Sequence, residues 1–299
     1  MSPFDQPHPI RGGFGDPRMV FNDPPVPKTV LTGDGSFQFH FGVDIAAPDG
    51  TSVFPVLSGK VTKVEDDWIE VDVGGERSFQ YWHITSAVKV GQQVTAKTTD
   101  LGAIKTDAGH VHLSELANGT YVNPLVAGHL TPYADNTDPV VESIEFRATD
   151  GSEALPDFLR GQFDMVVEAY DSPAVPVPGP WGGMPVAPAL LTWHVADLDG
   201  KLVVLEKTAV DFRVTFPPDS QFWSHYARGT YQNWCVFGPH YSWGQPGRFL
   251  FKLTTKPFDT KTIPDGVYDL VVTATDIRGN QGSRSRRFTV HNRPGWVGS

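Results

Sequence analysis

The chain has 299 residues, of which 39% are hydrophobic and 19% are charged, with 30 glycines and 26 prolines. So many turn-forming residues indicate a loop-rich, β-rich protein. The formal net charge of −10 offers no basic surface for a phosphate backbone, which argues against nucleic acid as a partner. No apolar run of about 18 residues predicts a transmembrane segment, and the opening residues lack the apolar stretch of a signal peptide. The single cysteine, Cys235, cannot build a thiolate metal site alone, so a metal would need histidine and carboxylate ligands.

The first part of the chain, residues 1–135, predicts a domain built on an antiparallel sheet. Residues 51–75 alternate apolar and polar side chains in short runs broken by glycine, and later segments continue this pattern. No window sustains a helical period for about ten residues, so we expect strands joined by long loops. The N-terminal segment 1–36, rich in Pro, Gly and Asp, is expected to be a loop laid over the sheet.

Residues 136–299 predict a second domain, an immunoglobulin-like β-sandwich, because several strand-like segments alternate there with turn residues. The predicted fold class is therefore all-β. An aromatic-rich insertion within this part could be a stacking platform for sugar rings, or it could fill the core and the contact between the domains. We favour the second interpretation, because aromatic side chains dominate buried cores and interfaces. Its aromatic residues are Phe222, Trp223, Tyr226, Tyr231, Trp234, Phe237, Tyr241, Trp243 and Phe249.

A His-x-His pair, His110 and His112, is the first of three motifs that could act together. Alternate residues of a strand share one face and lie only about 6.6 Å apart, so both imidazoles can address one point. Two imidazoles and one carboxylate with an open fourth position are the ligand pattern of a catalytic zinc site. The spacing alone leaves open which histidine of the pair would bind the metal.

His40 and Asp44 form the second motif and could supply the remaining ligands. On a straight strand they would be about 13 Å apart, too far for both to reach one ion. The chain must therefore bend between them, and we expect the bend at Gly42. The third motif, Tyr81-Trp-His83, adds an imidazole for proton transfer or oxyanion stabilisation. Tyr81 could orient His83 or be a partly buried aromatic residue.

The order of these motifs resembles that of the lysostaphin/LytM-type zinc endopeptidases. The likeness covers about residues 8–130: the lead-in HPIRGGFGDPR, then HFGVDIAAPDGTSVFPVLSGKVTKV, YWHI, VKVGQQVTA and GHVHLSE. The resemblance implies that Zn²⁺ is held by His40, Asp44 and His112, and that His83 and His110 act in catalysis. One loop departs from the family pattern, because residues 104–109 read Ile-Lys-Thr-Asp-Ala-Gly instead of a Gly/Ser/Thr-rich stretch ending in Gly-Pro.

The same resemblance implies an activity, a substrate and a compartment. The expected reaction is hydrolysis of the peptide cross-links of bacterial peptidoglycan, and the expected location is therefore the periplasm or the cell exterior. The second domain could add a contact with glycan or with a protein. The alternative is a non-catalytic module of the cell envelope, in which the first domain serves as a binding or regulatory scaffold. Because all five expected metal and catalytic residues are present, we favour the enzyme.

Overall fold

The structure, a computed structural model, describes residues 1–19, 37–232, 234–235, 242–243 and 247–292. It is 46% strand and 5% helix, with antiparallel sheets, which confirms the predicted all-β class. Among the described residues the one α-helix is the single turn Phe222–His225, and no helix there is long enough to span a bilayer. Three 3₁₀ turns complete the helical structure: Gly179–Trp181, Asp219–Gln221 and Thr260–Thr262.

The first part of the chain contains one large antiparallel sheet, a three-stranded sheet and a strand pair. The large sheet runs in the order β1-β4-β12-β8-β7-β6-β10, with β13 paired to β12. Its strands are β1 (Ile10–Gly12), β4 (Val43–Ala46), β6 (Gly59–Val64), β7 (Trp68–Gly74), β8 (Arg77–Trp82), β10 (Gln93–Val94), β12 (His110–Ala117) and β13 (Thr120–Val122). The three-stranded sheet contains β5 (Ser52–Val53), β11 (Gly102–Ile104) and β9 (Ile84–Ser86), and the pair contains β2 (Pro17–Met19) and β3 (Phe37–Phe39).

The N-terminal segment is not the simple loop expected for residues 1–36. Ile10 is buried, and β1 adds an edge strand to the large sheet by pairing with β4. β2 pairs with β3, so this part of the chain gains backbone hydrogen bonds that a loop would lack. Residues 20–36 lie outside the described residues.

The second part of the chain forms two antiparallel four-stranded sheets that pack on each other where β14 meets β23. One sheet contains β14 (Val140–Ala148), β15 (Gln162–Tyr170), β20 (Leu250–Lys252) and β21 (Phe258–Asp259). The other contains β17 (Leu202–Asp211), β16 (Leu190–Asp197), β22 (Gly266–Thr275) and β23 (Gln281–Val290), and a separate pair joins β18 (Trp234–Cys235) to β19 (Ser242–Trp243). Two packed sheets agree with a sandwich, whereas the immunoglobulin-like assignment and the domain boundary after residue 135 stay predictions.

One apolar core runs through both parts of the chain. Phe39 of β3 packs against Phe212, Phe222 and Tyr226, with ring centroids 5.2–5.9 Å apart. The Tyr226 hydroxyl donates a hydrogen bond of 2.8 Å to the carbonyl oxygen of Gly15. These aromatic side chains therefore fill the contact between the two parts, as the favoured interpretation predicted.

The rest of the aromatic-rich segment is only partly described. Phe249 is buried in the same core, whereas Phe237 and Tyr241 lie outside the described residues. Because Phe222, Tyr226 and Phe249 are buried, these three side chains are not exposed for stacking on sugar rings.

Candidate metal centre and active site

The expected metal ligands come from three neighbouring stretches of backbone. Asp44 on β4 stands directly opposite His112 on β12, so their side chains lie on one face of the sheet. His40 follows β3, and its backbone exchanges hydrogen bonds of 2.8 Å with Gly15 and Asp16. The chain therefore leaves one sheet at His40 and enters another at Val43, which brings His40 beside the Asp44–His112 pair.

The bend between His40 and Asp44 lies at Gly42, as predicted, although the reason for glycine differs from the one expected. Gly42 does not adopt a left-handed conformation. A Cβ at this position would instead lie 2.3 Å from the carbonyl oxygen of Leu113 and 2.8 Å from His112 Nε2. Glycine is needed because the bend presses the backbone against β12.

Three potential ligand atoms meet in the buried space that results. His40 Nε2 lies 2.7 Å from His112 Nδ1 and 3.1 Å from Asp44 Oδ1, and His112 Nδ1 lies 3.0 Å from the same oxygen. The three residues are only 2%, 4% and 5% exposed for His40, His112 and Asp44. The geometry thus brings together all three residues that the family resemblance marks as ligands.

The chemistry of this donor set fits a divalent cation. His40 Nδ1 lies 2.7 Å from the carbonyl oxygen of Gly13, which can only accept, so Nδ1 carries the proton and Nε2 presents a lone pair. Asp44 Oδ1 presents another lone pair, and His112 Nδ1 faces both. Tetrahedral zinc ligands lie about 3.3 Å apart. The two contacts of Asp44 Oδ1 are within a few tenths of an ångström of this separation, and the contact between the two histidine nitrogens is shorter, at 2.7 Å. A metal-binding histidine also usually bonds its second nitrogen to a protein group, as His40 does here.

The protonation states also suit a metal. Burial, followed by the charge of Arg18, lowers the pKa of His40 to about 3, and burial lowers the pKa of His112. Burial alone would raise the pKa of Asp44, but His40, His110 and Arg18 hold it well below its usual value. Near neutral pH the set is therefore two neutral imidazoles and a carboxylate, the forms that bind a metal.

His110 points into the same space. Its Nδ1 lies 2.6 Å from the carbonyl oxygen of Ala108, so the proton sits on Nδ1 and the lone pair of Nε2 faces Asp44 Oδ1 at 3.5 Å. Burial is the main cause that lowers the pKa of His110 to about 4, and Arg11 contributes. His110 is thus a neutral proton acceptor beside the candidate metal centre.

His83 faces His110, with ring centroids 4.8 Å apart. It lies just beyond the end of β8 in a left-handed conformation with φ 66°, which breaks the alternation of the strand. Tyr81, still within the strand, is consequently buried on the other side, where its hydroxyl accepts a hydrogen bond of 2.8 Å from the Val56 backbone. Tyr81 is therefore a core residue and does not orient His83.

Two charged residues that the sequence reasoning did not single out support this centre. Arg18 Nη2 donates a hydrogen bond of 2.7 Å to Asp44 Oδ2, which leaves Oδ1 facing the imidazoles. Asp67 Oδ2 lies 3.0 Å from His83 Nδ1, and Lys105 lies 3.2 Å from its other oxygen. Arg18 belongs to the lead-in that carries the family resemblance, whereas the acidic turn that contains Asp67 gives no signal in the sequence.

The centre opens into a pocket of about 300 Å³ that both parts of the chain enclose. Arg11, Phe41 and Trp82 line it from the first part. Trp181, Met184 and Gln232 line it from the second part. One side of the pocket is closed by Trp181, Met184 and Gln232, which are distant in the sequence from the candidate ligands His40, Asp44 and His112.

One part of the chain matches a known protein family. Residues 38–124 match the model of Peptidase family M23. Those residues form an M23 peptidase domain. The matched range contains His40, Asp44, His83, His110 and His112. No curated protein shows a significant sequence match to the chain.

Several solved structures are similar to part of the chain. The catalytic domain of lysostaphin from Staphylococcus simulans is 24% identical over 38% of this chain and 86% of that chain, with a TM-score of 0.30. The catalytic domain of the prophage-encoded M23 protein EnpA from Enterococcus faecalis is 24% identical over 38% of this chain and 91% of that chain, with a TM-score of 0.28. A chain of the SpoIIQ–SpoIIIAH pore-forming complex is 21% identical over 39% of this chain and 80% of that chain, with a TM-score of 0.29. At these TM-scores the assignment rests on the family match.

Proposed function

We propose that the protein is a zinc-dependent endopeptidase that hydrolyses the peptide cross-links of bacterial peptidoglycan, in the periplasm or outside the cell. The observation that carries the proposal is the buried convergence of His40, Asp44 and His112 inside an M23 peptidase domain. Two further imidazoles, those of His83 and His110, border the same pocket. This combination supplies both the ligands and the proton carriers that amide hydrolysis requires.

His40, Asp44 and His112 would hold the metal, with Arg18 fixing the Asp44 carboxylate from the opposite side. When bound, Zn²⁺ polarises a carbonyl oxygen and lowers the pKa of water. The carbonyl oxygen of Gly13 keeps the proton of His40 on Nδ1 and thereby keeps Nε2 available as a ligand.

His110 and His83 would transfer the protons during hydrolysis. Hydrolysis of an amide needs a base that takes a proton from the attacking water and an acid that returns one to the leaving amine. His110 presents a lone pair on Nε2, and the Asp67 carboxylate orients the His83 ring through a contact of 3.0 Å with Nδ1. Either imidazole can accept the proton through Nε2 and return it to the leaving amine, and the other ring would donate to the oxyanion once its own Nε2 is protonated.

Digestion of purified cell-wall sacculi tests the proposal. We expect one zinc per chain, and we expect fragments whose masses correspond to cleaved peptide cross-links, with release that stops after chelation and resumes when zinc is restored. The masses also identify the bond that is cleaved. A metal-free protein that releases no fragments would instead support the non-catalytic scaffold.

A further inference from the structure

Arg11 of β1 occupies an unusual position in the wall of the pocket. Its guanidinium carbon lies 4.3 Å from the ring centroid of Trp181, so the cation stacks on a residue from the second part of the chain. Its Nη1 is buried, and no described residue accepts a hydrogen bond from it. The nearby carboxylates of Asp16 and Asp44 are both paired with Arg18 instead.

A buried guanidinium nitrogen without an acceptor is costly, because each desolvated N–H that lacks a partner loses a hydrogen bond to water. The stacking on Trp181 fixes the plane of Arg11 but satisfies none of its donors. The planar fork of an arginine matches a carboxylate in particular, since two parallel N–H groups can bind its two oxygens. The pocket therefore offers a fixed cation with unused donors in a protein whose net charge is −10.

The location of Arg11 places such an anion close to the chemistry. A Cβ on Gly109 would lie 3.8 Å from Arg11 Nη1, and Gly109 directly precedes His110. Arg11 also lines the same pocket as His40, Asp44 and His112. An anion at Arg11 would thus belong to a substrate group near the bond that is cleaved.

We propose that Arg11, backed by Trp181, binds a free carboxylate of the substrate peptide and selects peptides that carry one beside the scissile bond. This assignment rests on the proposed peptidase function, which it deepens by naming a feature of the substrate. Because Trp181 comes from the second part of the chain, that part contributes to specificity by holding Arg11 in place. Arg18, in contrast, remains with the Asp44 carboxylate.

Calorimetry of peptide binding to the full chain tests the proposal. The protein is first freed of metal so that no hydrolysis occurs. The probes are two matched pairs: pentaglycine with pentaglycinamide, and acetyl-D-alanyl-D-alanine with its C-terminal amide. We expect the acid of at least one pair to bind about tenfold more tightly than its amide, as a charge-assisted hydrogen-bond pair provides. Arg11→Gln should remove this difference and leave the affinity for the amide unchanged.

Further variants keep the result interpretable. Arg11→Lys should retain part of the preference, Trp181→Leu should weaken it, and Arg160→Gln, which removes an exposed arginine, should leave it intact. Equal affinity for acid and amide in both pairs, or a preference that survives in Arg11→Gln, overturns the proposal. If the protein digests sacculi but binds acid and amide peptides equally, only the Arg11 subsite is refuted. If it binds the acid more tightly but does not digest sacculi, only the peptidase function is refuted.

Discussion

His110 and His112 are two positions apart on β12, yet their ring nitrogens face different partners. His112 Nδ1 lies among the lone pairs of His40 and Asp44, whereas His110 donates its Nδ1 proton to Ala108 and only approaches Asp44. The structure therefore favours His112 as the ligand and His110 as the proton carrier, in agreement with the roles that the family resemblance implies.

Alanine variants of the pair separate these two roles. His112→Ala should abolish stoichiometric zinc binding, because it removes one of three protein ligands. His110→Ala should keep zinc and lose turnover by about 10²–10⁴-fold, the usual contribution of a general acid or base. Metal analysis measures the zinc content of each variant, and a hydrolysis assay measures its turnover. Zinc retained in the first variant and lost in the second would reverse the assignment.

Asp67 is expected to act through His83 as a positioning residue. Asp67→Asn keeps the size of the side chain but removes the charge that faces Nδ1. We expect kcat to fall about 10–100-fold, as for comparable supporting carboxylates, with KM and zinc content unchanged. Asp66→Asn is the matched control, because the neighbouring Asp66 carboxylate is fully exposed. An equal loss in both variants would show that local charge, not positioning, is responsible.

The sequence predicted which residues form the site better than it predicted the orientation of their side chains. Strand alternation specifies His110 and His112, whereas the family motifs specify all five expected residues. The orientation of His83 could not be predicted, since it depends on a left-handed residue that ends β8. The stacking of Arg11 on Trp181 joins residues 170 positions apart, and no local pattern encodes it.

Among the elements, β12 is the one on which the site is built. It lies between β4, which supplies Asp44, and β8, whose end leads to His83. Such a central strand is fixed by hydrogen bonds on both sides, so ligands attached to it are held rigidly. The sequence predicted this strand by its alternation, but it could not predict the order of neighbouring strands, which the long-range pairing decides.

The bend at Gly42 gives a test at the same scale. Gly42→Ala forces a Cβ against the Leu113 carbonyl, so we expect a loss of about 1–3 kcal/mol in the free energy of unfolding together with weaker zinc binding. Gly50→Ala is the control: its Cβ meets nothing within 4 Å, and its positive φ makes the substitution costly without touching the site. Denaturation and metal titration of both variants check this. Unchanged zinc affinity in Gly42→Ala would contradict the role of the bend.

The loop at residues 104–109 departs from the family sequence but is well anchored. The Asp49 carboxylate accepts hydrogen bonds of 2.7 Å from the Asp107 backbone and 2.8 Å from the Gly109 backbone. Lys105 reaches the Asp67 carboxylate that faces His83. The changed sequence therefore keeps a hydrogen-bonded loop that leads directly into His110.

Across the whole molecule, acidic residues gather where the two parts of the chain join. Asp171, which is 4% exposed, lies near Asp135, Asp138 and Asp276. Burial, and next the charge of Asp135, raises the pKa of Asp171 to about 8. The folded protein thus binds a proton at Asp171 that the unfolded chain releases near pH 4.

This raised pKa predicts a stability that depends on pH. A group with a raised pKa in the folded state stabilises fully below its unfolded pKa and loses that contribution as the pH rises through the folded value. The free energy of unfolding should therefore fall between pH 4 and pH 9, by on the order of 4–6 kcal/mol from this group. Asp171→Asn should remove most of this slope in denaturant titrations, and Asp199→Asn, an exposed control, should not. The same slope in Asp171→Asn would assign it to other groups.

Composition and turn residues predict a division into two parts, which stays a prediction, whereas the packing between the two segments could not be predicted. Sequence alternation indicates strands in each part, whereas the contacts of Phe39 with Phe212, Phe222 and Tyr226 depend on how the sheets meet. Among the described side chains of the aromatic-rich segment, burial places Phe222, Tyr226 and Phe249 in the core, which the sequence alone could not decide.

Asp16 contacts both the candidate metal centre and the second part of the chain. One of its oxygens accepts a hydrogen bond of 2.7 Å from the Ala187 backbone, and the other lies 3.6 Å from Arg18, the residue that secures Asp44. If docking of the second part increases the affinity for the cation, thermodynamic reciprocity requires that cation binding strengthens the docking by the same free energy. Under that condition, loss of the ion would weaken the contact between the two parts.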